Sequence, residues 1–383
     1  VRIIQKTNAH AVAFLDVMYV GEYLQNAKNN SWQYLPEHTP IQINYGMRPH
    51  FLSSFVGYTA SYKLIRTGKD IGYNNLTTTT VQYTIIGSSQ VMQSTRNIAW
   101  KNTSPSTIAG NIAIKNGMRS IIHSYPAAIQ YRLQNSSDFM FLNQLAHEIG
   151  YKFYVDNTDL YFVNPNLILD RGNIRNIPEF WSHNLPGVWD TIRDFQPVVG
   201  TITPDGGISA SRNVVGLNPR TNQITQAQVS PNLTVSATDS STIAPVITQY
   251  YNEHPAESYY EASQKAQADF NRNLYWNTAK AELYGDARVK PNTLVNLVGN
   301  ALPQNEAGTW IVEEVEHCLT MPLPGFVPQN ADYRMYTCLG RDQVYTTLNS
   351  ALSETSSVTQ TVPAKLIGGV WVSSNMGANI YAT

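Results

Sequence analysis

The chain has 383 residues, 26 basic and 27 acidic, for a formal net charge of −1, and this balance excludes a basic nucleic-acid wrapper and an acidic tail protein. Only 14% of residues are charged while 42% are apolar, and 23 Tyr with many Asn, Gln, Ser and Thr fill the difference. That is unlike a disordered chain; it fits a β-rich protein covered by neighbours, because interface cores lose charge and gain aromatics.

The start, VRIIQKTNAH, lacks the apolar region of a secretory signal, and the absent initiator Met fits processing or truncation. No apolar run reaches the roughly 18 residues that span a bilayer. Residues 1–118 read as strands: His10 to Val20, Pro40 to Tyr45, Phe55 to Tyr62 and Thr80 to Ile86 are apolar or alternate. A helix follows, capped by Ser104, with Pro105 at its first position, Ile108 and Ile112 on one face and Gly117 as its stop. Residues 119–185 form an α+β insert. Ser136, Ser137 and Asp138 cap a helix over 138–149, with Phe141, Leu142, Leu145 and Ile149 at helical spacing, and Gly150 ends it. A hairpin over 151–163 sets Phe153 and Val155 against Leu160 and Phe162.

Residues 186–345 return to strands, among them TLVNLVG, TWIVEEVEHCL and YRMYTCLG. Gln226 to Gln249 reads as a loop insertion or linker. A long helix is predicted over 257–284, where Ala262, Ala266, Phe270, Leu274 and Ala281 recur at spacings of four or seven. Residues 346–383 read as a Ser/Thr-rich linker followed by a C-terminal segment with one further strand. The two strand-rich regions resemble each other. TPIQINYG matches NTLVNLVG, YTIIG matches YTCLG, and Gly46 to Gly87 and Gly299 to Gly340 each span 41 residues. The sequence therefore predicts a mainly β fold of two β-barrel domains related by internal duplication, plus a small helix-hairpin domain.

No catalytic, cofactor-binding or metal-ligating set emerges. His147-Glu148 opens a zincin-like motif, but Tyr151 stands where the second His is needed. His123 and His317 have no second ligand at metal spacing, and two cysteines make neither a disulfide scaffold nor a four-thiolate zinc site. Cys318 and Cys338 read as buried free thiols in neighbouring strands. Gly206-Gly207 lacks the Lys-Ser/Thr of a phosphate loop. Glu313, Glu314 and Glu316 read as an acidic strand face, the alternative being a carboxylate pair for glycan cleavage. Lys63, Arg66 and Lys69 lack interleaved aromatics.

The segment SSDFMFLNQLAHEIGYKFYVDNTDLYFVNP resembles the signature of phage tail hub proteins. That family includes late control protein D and the hub portion of type VI secretion spike proteins. The match runs through Asp138, Phe139, Phe141, Leu142, Gly150, Tyr151, Phe153 to Asp156 and Leu160 to Phe162. Flanking matches, in order, are PIQINYG…FVGYTASY, TSPSTIAGNIAIKNG, NVVGLNPRT (with Asn218 where Asp is usual) and ELYGDARVKPNTLVNLVG…GTWIVEEVEHCL…YRMYTCLGRD. They cover about residues 10–345, and no needle repeat follows the second barrel. The resemblance implies that the barrels are tail-tube-like, and that the chain is a non-enzymatic virion protein of the tail tip or baseplate, assembled in the host cytoplasm. It implies a homotrimer with pseudo-six-fold symmetry between a six-fold tail tube or distal tail ring protein and a three-fold spike or fibre. The lumen would pass DNA or a tape-measure protein without sequence specificity, with no cofactor and no membrane span. The alternatives are a tail-associated cell-wall or glycan hydrolase and a glycan-binding receptor protein.

Overall fold

The computed structural model describes residues 1–20, 35–47, 51–70, 76–125, 128–164, 177–183, 189–199, 211–218, 223–229, 234–236, 248–251, 262, 265–266, 277–302, 306–320, 332–341, 359–361, 364–367 and 370–373. The protein is mainly β. Its first strands are β1 (Arg2–Lys6), β2 (Val12–Val20), β3 (Pro40–Met47), β4 (Phe51–Asp70), β5 (Leu76–Gly87), β6 (Ile98–Thr103), β7 (Arg119–Ile122), β8 (Ile129–Gln134), β9 (Lys152–Asp156) and β10 (Asp159–Val163). They are followed by β11 (Glu179–Trp181), β12 (Ile192–Val199), β13 (Ser211–Asn218), β14 (Gln223–Val229), β15 (Thr234–Ser236), β16 (Thr248–Tyr251), β17 (Asn277–Tyr284), β18 (Leu294–Val298), β19 (Gly308–Thr320), β20 (Asp332–Arg341), β21 (Thr359–Thr361), β22 (Ala364–Ile367) and β23 (Val370–Ser373). Among the described residues α1 (Pro105–Lys115), α2 (Asp138–Ile149) and a short 3-10 helix at Ser88–Gln93 interrupt them.

Among the described residues eleven strands form one sheet along the path β12-β17-β20-β19-β1-β2-β5-β4-β3, with β18 on β19 and β11 on β18. The strands β2 to β5 pair in the order β3-β4-β5-β2, and β17 to β20 pair in the order β18-β19-β20-β17. Every pairing within these two sets is antiparallel. Between the sets lies β1, bonded to β2 on one edge and to β19 on the other. The expected pair of closed barrels is therefore not what the described residues form: β1 fuses the two sets into one open sheet. Both ends of the path carry proline, Pro40 opening β3 and Pro197 inside β12, as befits strands with one edge unbonded among the described residues.

Alternation sets the core. Tyr333, Met335, Thr337 and Leu339 of β20 are buried, as are Val81, Tyr83 and Ile85 of β5. In β19 the register steps between Val312 and Glu314, leaving Glu313 as an extra residue. This bulge turns both Glu313 and Glu314 outward and keeps Trp310, Val312, Val315 and His317 inside. One apolar cluster joins both sets, from Ile3 and Tyr83 to Trp310 and Met335. A second cluster, from Met92 and Ile108 to Leu142, Phe153 and Phe162, lies beneath the helices.

The capping chemistry is visible at both helices. Ser104 Oγ accepts from Thr107 N at 3.2 Å, and Ser137 Oγ accepts from Met140 N at 3.2 Å. The hairpin β9–β10 pairs Phe153 with Phe162 and Val155 with Leu160, and β7 adds a parallel third strand on β10. Two asparagines at positive φ fasten this unit to the large sheet. Asn8 exchanges backbone and side-chain bonds with Phe153, and Asn157 Oδ1 accepts from Val56 N at 3.0 Å.

The helix expected over 257–284 is corrected at its end. Residues 277–284 are strand β17, bonded to β12 on one side and β20 on the other. Ala279, Ala281 and Leu283 are buried between polar neighbours at period two, and this sheet pairing overrides the helical propensity of Ala, Lys, Glu and Leu. Ala262, Lys265 and Ala266 are helical, with both alanines buried; the rest of 252–276 lies outside the described residues. The expected loop over Gln226–Gln249 holds the end of β14, all of β15 and the start of β16. The segment read as linker contains β21, which pairs with β15, and the C-terminal segment holds two strands, the hairpin β22–β23, rather than one.

Candidate functional site

The structure scatters the sequence-suggested chemistry. His147 and Glu148 sit in the last turn of α2, where Glu148 is ion-paired with Arg132, and Tyr151 Oη donates to Ser124 O at 2.9 Å. His123 Nδ1 accepts from Asn164 N at 3.1 Å. His317 is fully buried, with Nε2 at 3.1 Å from Val289 O and Nδ1 at 2.9 Å from Tyr333 Oη. Among the described residues no cluster of three His, Cys, Asp or Glu is placed to hold a metal ion. No described helix is long and apolar enough to cross a membrane.

The cysteines are half-buried rather than buried. Cys318 faces Arg334 across the β19–β20 pairing, whereas Cys338 faces Glu314, so the two thiols do not meet as a cross-strand pair. Burial, then the Glu316 carboxylate, pushes Cys318 up to about 12, and burial and Glu314 also raise Cys338. Both are thiols at neutral pH, unsuited to nucleophilic work. Gly206 and Gly207 lie outside the described residues, as do the side chains of Arg66 and Lys69; Lys63 is exposed on β4.

Each of the three carboxylates of β19 holds a cation. Arg2 Nη2 donates to Glu316 at 2.9 Å, Lys6 Nζ lies 3.0 Å from Glu314, and Lys152 Nζ lies 3.6 Å from Glu313. The same outward side of the sheet continues the pattern. Arg193 Nη2 donates to Asp332 at 3.2 Å, and Arg334 Nη1 donates to Glu282 at 3.2 Å. On β5 and β2, Gln82 donates to Asp16 at 2.8 Å. The outcome is a polar sheet face whose charges cancel locally, not a carboxylate pair in a cleft.

A pocket of about 420 Å³ opens where β1, the three-stranded sheet and the 286–294 turn meet. Gln5 and Lys6 enter it from β1, Tyr154 and Asp156 from β9, and Lys290 and Asn292 from the turn. Tyr154 and Tyr161 stack with ring centres 4.6 Å apart and planes 5° from parallel. Burial raises the Tyr154 hydroxyl well above its ordinary value. Sequence reasoning missed this pocket because its walls come from segments far apart in the chain; the Pro291-Asn292 turn signal was its one local trace.

No family model matches the chain, and no curated protein matches it in sequence. Solved structures do. The 43 kDa tail protein of prophage MuSo2 from Shewanella oneidensis superposes with a TM-score of 0.53 at 10% identity, covering 88% of this chain and 92% of that one. A tail protein from Neisseria meningitidis MC58 superposes with a TM-score of 0.59 at 8% identity, covering 90% of this chain and 92% of that one. The chain has the fold of phage tail proteins.

Proposed function

We propose that the chain is the structural hub of a phage tail or baseplate, a virion component without catalysis of its own. In this reading residues 1–118 and 186–345 are duplicated tube-like β units joined in one open sheet through β1, 119–185 is a helix-hairpin insert, and 346–383 is a linker and C-terminal segment. Three copies then present six similar faces. One side of the ring meets a six-fold tail tube or distal tail ring protein, and the other meets a three-fold spike or fibre. Closed oligomers obey point symmetry, so duplication is what lets a trimer dock on a hexamer.

The observation that carries the reading is the shared pairing order of β2 to β5 and β17 to β20. Two details support it. Gly46 and Gly299, at the ends of matching strands, share a φ of 134°. The next strand of each set carries a bulge, at Ala60 in β4 and Glu313 in β19, each fourteen residues beyond its glycine. The fold likeness to two tail proteins over most of both chains supports the setting.

The polar sheet face supports a lumen for DNA or a tape-measure protein, because ion-paired cations offer phosphates little net attraction. The same pairs remove the observation that favoured a hydrolase. Native mass measurement tests the proposal: three times 42.7 kDa is expected, with six similar lobes in electron micrographs down the axis. A stable monomer at micromolar concentration overturns it.

A further inference from the structure

The turn that closes α1 carries chemistry that the hub reading does not use. Asn116-Gly117 is the one Asn-Gly step in the sequence. In such a step the glycine amide nitrogen can attack the asparagine side-chain carbonyl, because the glycine has no side chain to hinder the approach. The bond from Gly117 N to Asn116 Cγ forms, the Cγ–Nδ2 bond breaks, and the amide proton leaves with Nδ2 as ammonia. The product is a cyclic imide. Water then opens that ring at either carbonyl and leaves aspartate or isoaspartate.

The folded turn holds each participant away from this reaction. Asn116 has ψ 8°, which nearly eclipses Gly117 N with Asn116 N and turns it away from Cβ. Ring closure instead needs Gly117 N and Cβ nearly eclipsed. The backbone setting is bonded in place: Gly117 N donates to Ile114 O at 3.0 Å and Met118 N to Ala113 O at 2.9 Å. The side chain is tied as well. Asn116 Nδ2 donates to Ile112 O at 2.8 Å and to Asp138 Oδ2 at 3.2 Å. Asp138 is itself 1% exposed and accepts from Gln134 Nε2 at 2.8 Å and Lys115 Nζ at 3.0 Å. Attack therefore requires the turn to open with these bonds broken.

We propose that Asn116-Gly117 is a modification site that folding keeps shut and that reacts only in a chain whose contact between α1 and α2 is unformed. Conversion is then disabling. An aspartate at this position replaces the donor Nδ2 with a carboxylate oxygen, which faces the Ile112 carbonyl and the Asp138 carboxylate, both acceptors. Isoaspartate also adds a main-chain carbon shortly before Arg119, whose strand β7 must meet β10 in register with Asp159. A chain left unfolded thus loses its capacity to form the insert, while a folded one keeps its amide.

Peptide mapping by mass spectrometry tests this on the full chain, incubated at pH 8 either folded or unfolded in guanidinium chloride. In the unfolded chain Asn116 is expected to convert ahead of every other asparagine, and in the folded chain at least about tenfold more slowly. Equal rates in the two states, or another asparagine leading in the unfolded chain, overturn the proposal. Asn116→Asp and Asn116→Ala test the consequence. Both lose the bonds that Nδ2 donates, but only aspartate adds a charge beside Asp138. Asn116→Asp should therefore melt below Asn116→Ala, or fail to fold where Asn116→Ala folds. An Asn116→Asp variant as stable as Asn116→Ala overturns the disabling step. If neither variant folds, refolding of the incubated wild-type chain decides: molecules that retain Asn116 should refold and converted ones should not, and equal recovery of both overturns it.

Discussion

His317 ties acid stability to one ring. The Val289 carbonyl can only accept, so Nε2 carries the proton and Tyr333 Oη donates to Nδ1. Burial pushes the imidazole down to about 4; the Val289 bond and Asp286 oppose this, and Lys290 adds to it. The folded ring stays neutral while the unfolded ring takes a proton below its ordinary 6.5. Stability is therefore fully present above that value and is lost as the pH falls toward 4, by roughly 2–4 kcal/mol. Urea midpoints at pH 7 and pH 4.5 should differ accordingly, and His317→Gln should flatten the difference. An unchanged slope in the variant would show the ring is solvated. Asp138 acts in a lower window. Burial would raise it, but hydrogen bonds from Gln134, Asn116 and Lys115 outweigh burial and hold it below its ordinary value. Its stabilisation is present above the usual carboxylate range and is lost only in stronger acid.

The junction after β18 turns on one glycine. Gly299 has φ 134°, and a Cβ there would lie 1.8 Å from Ser182 O, a backbone atom that cannot swing aside. Gly299→Ala should cost more than about 3 kcal/mol and unseat β11 from β18, whereas Gly308→Ala, with open space around it, should cost about 1–2 kcal/mol. Chemical denaturation of both variants checks this; similar losses would mean that the Ser182 contact yields. Features like these differ in how far the sequence announces them. Ser104-Pro105 and Ser137-Asp138 mark the helix starts because capping is a local transaction between neighbours. The alternation of Tyr333 to Leu339 is equally local. Strand β17 was hidden by helix-forming residues whose partners, β12 and β20, lie far off in the chain. The five residues of β1 are too few to show a period, and they form a strand because Phe14 and Cys318 stand on either side of Arg2. Gln5 and Asn292 carry no motif at all; only the packing of three distant segments brings them to one pocket.

At the scale of the molecule, near-neutral charge and locally cancelled ion pairs predict weak adhesion to nucleic acid. The protein should elute from immobilised DNA at or below about 0.15 M salt. Retention well above that would reveal a basic track and contradict the neutral face. The position of β1 also has a consequence for biosynthesis. A ribosome delivers this strand some three hundred residues before its second partner, β19. Until then one side of β1 is a bare template, able to recruit a stranger. A product cut short before Gly308 never covers it. Translation as far as β19 thus works as quality control, since only a chain that carries both strands can zip its two parts together.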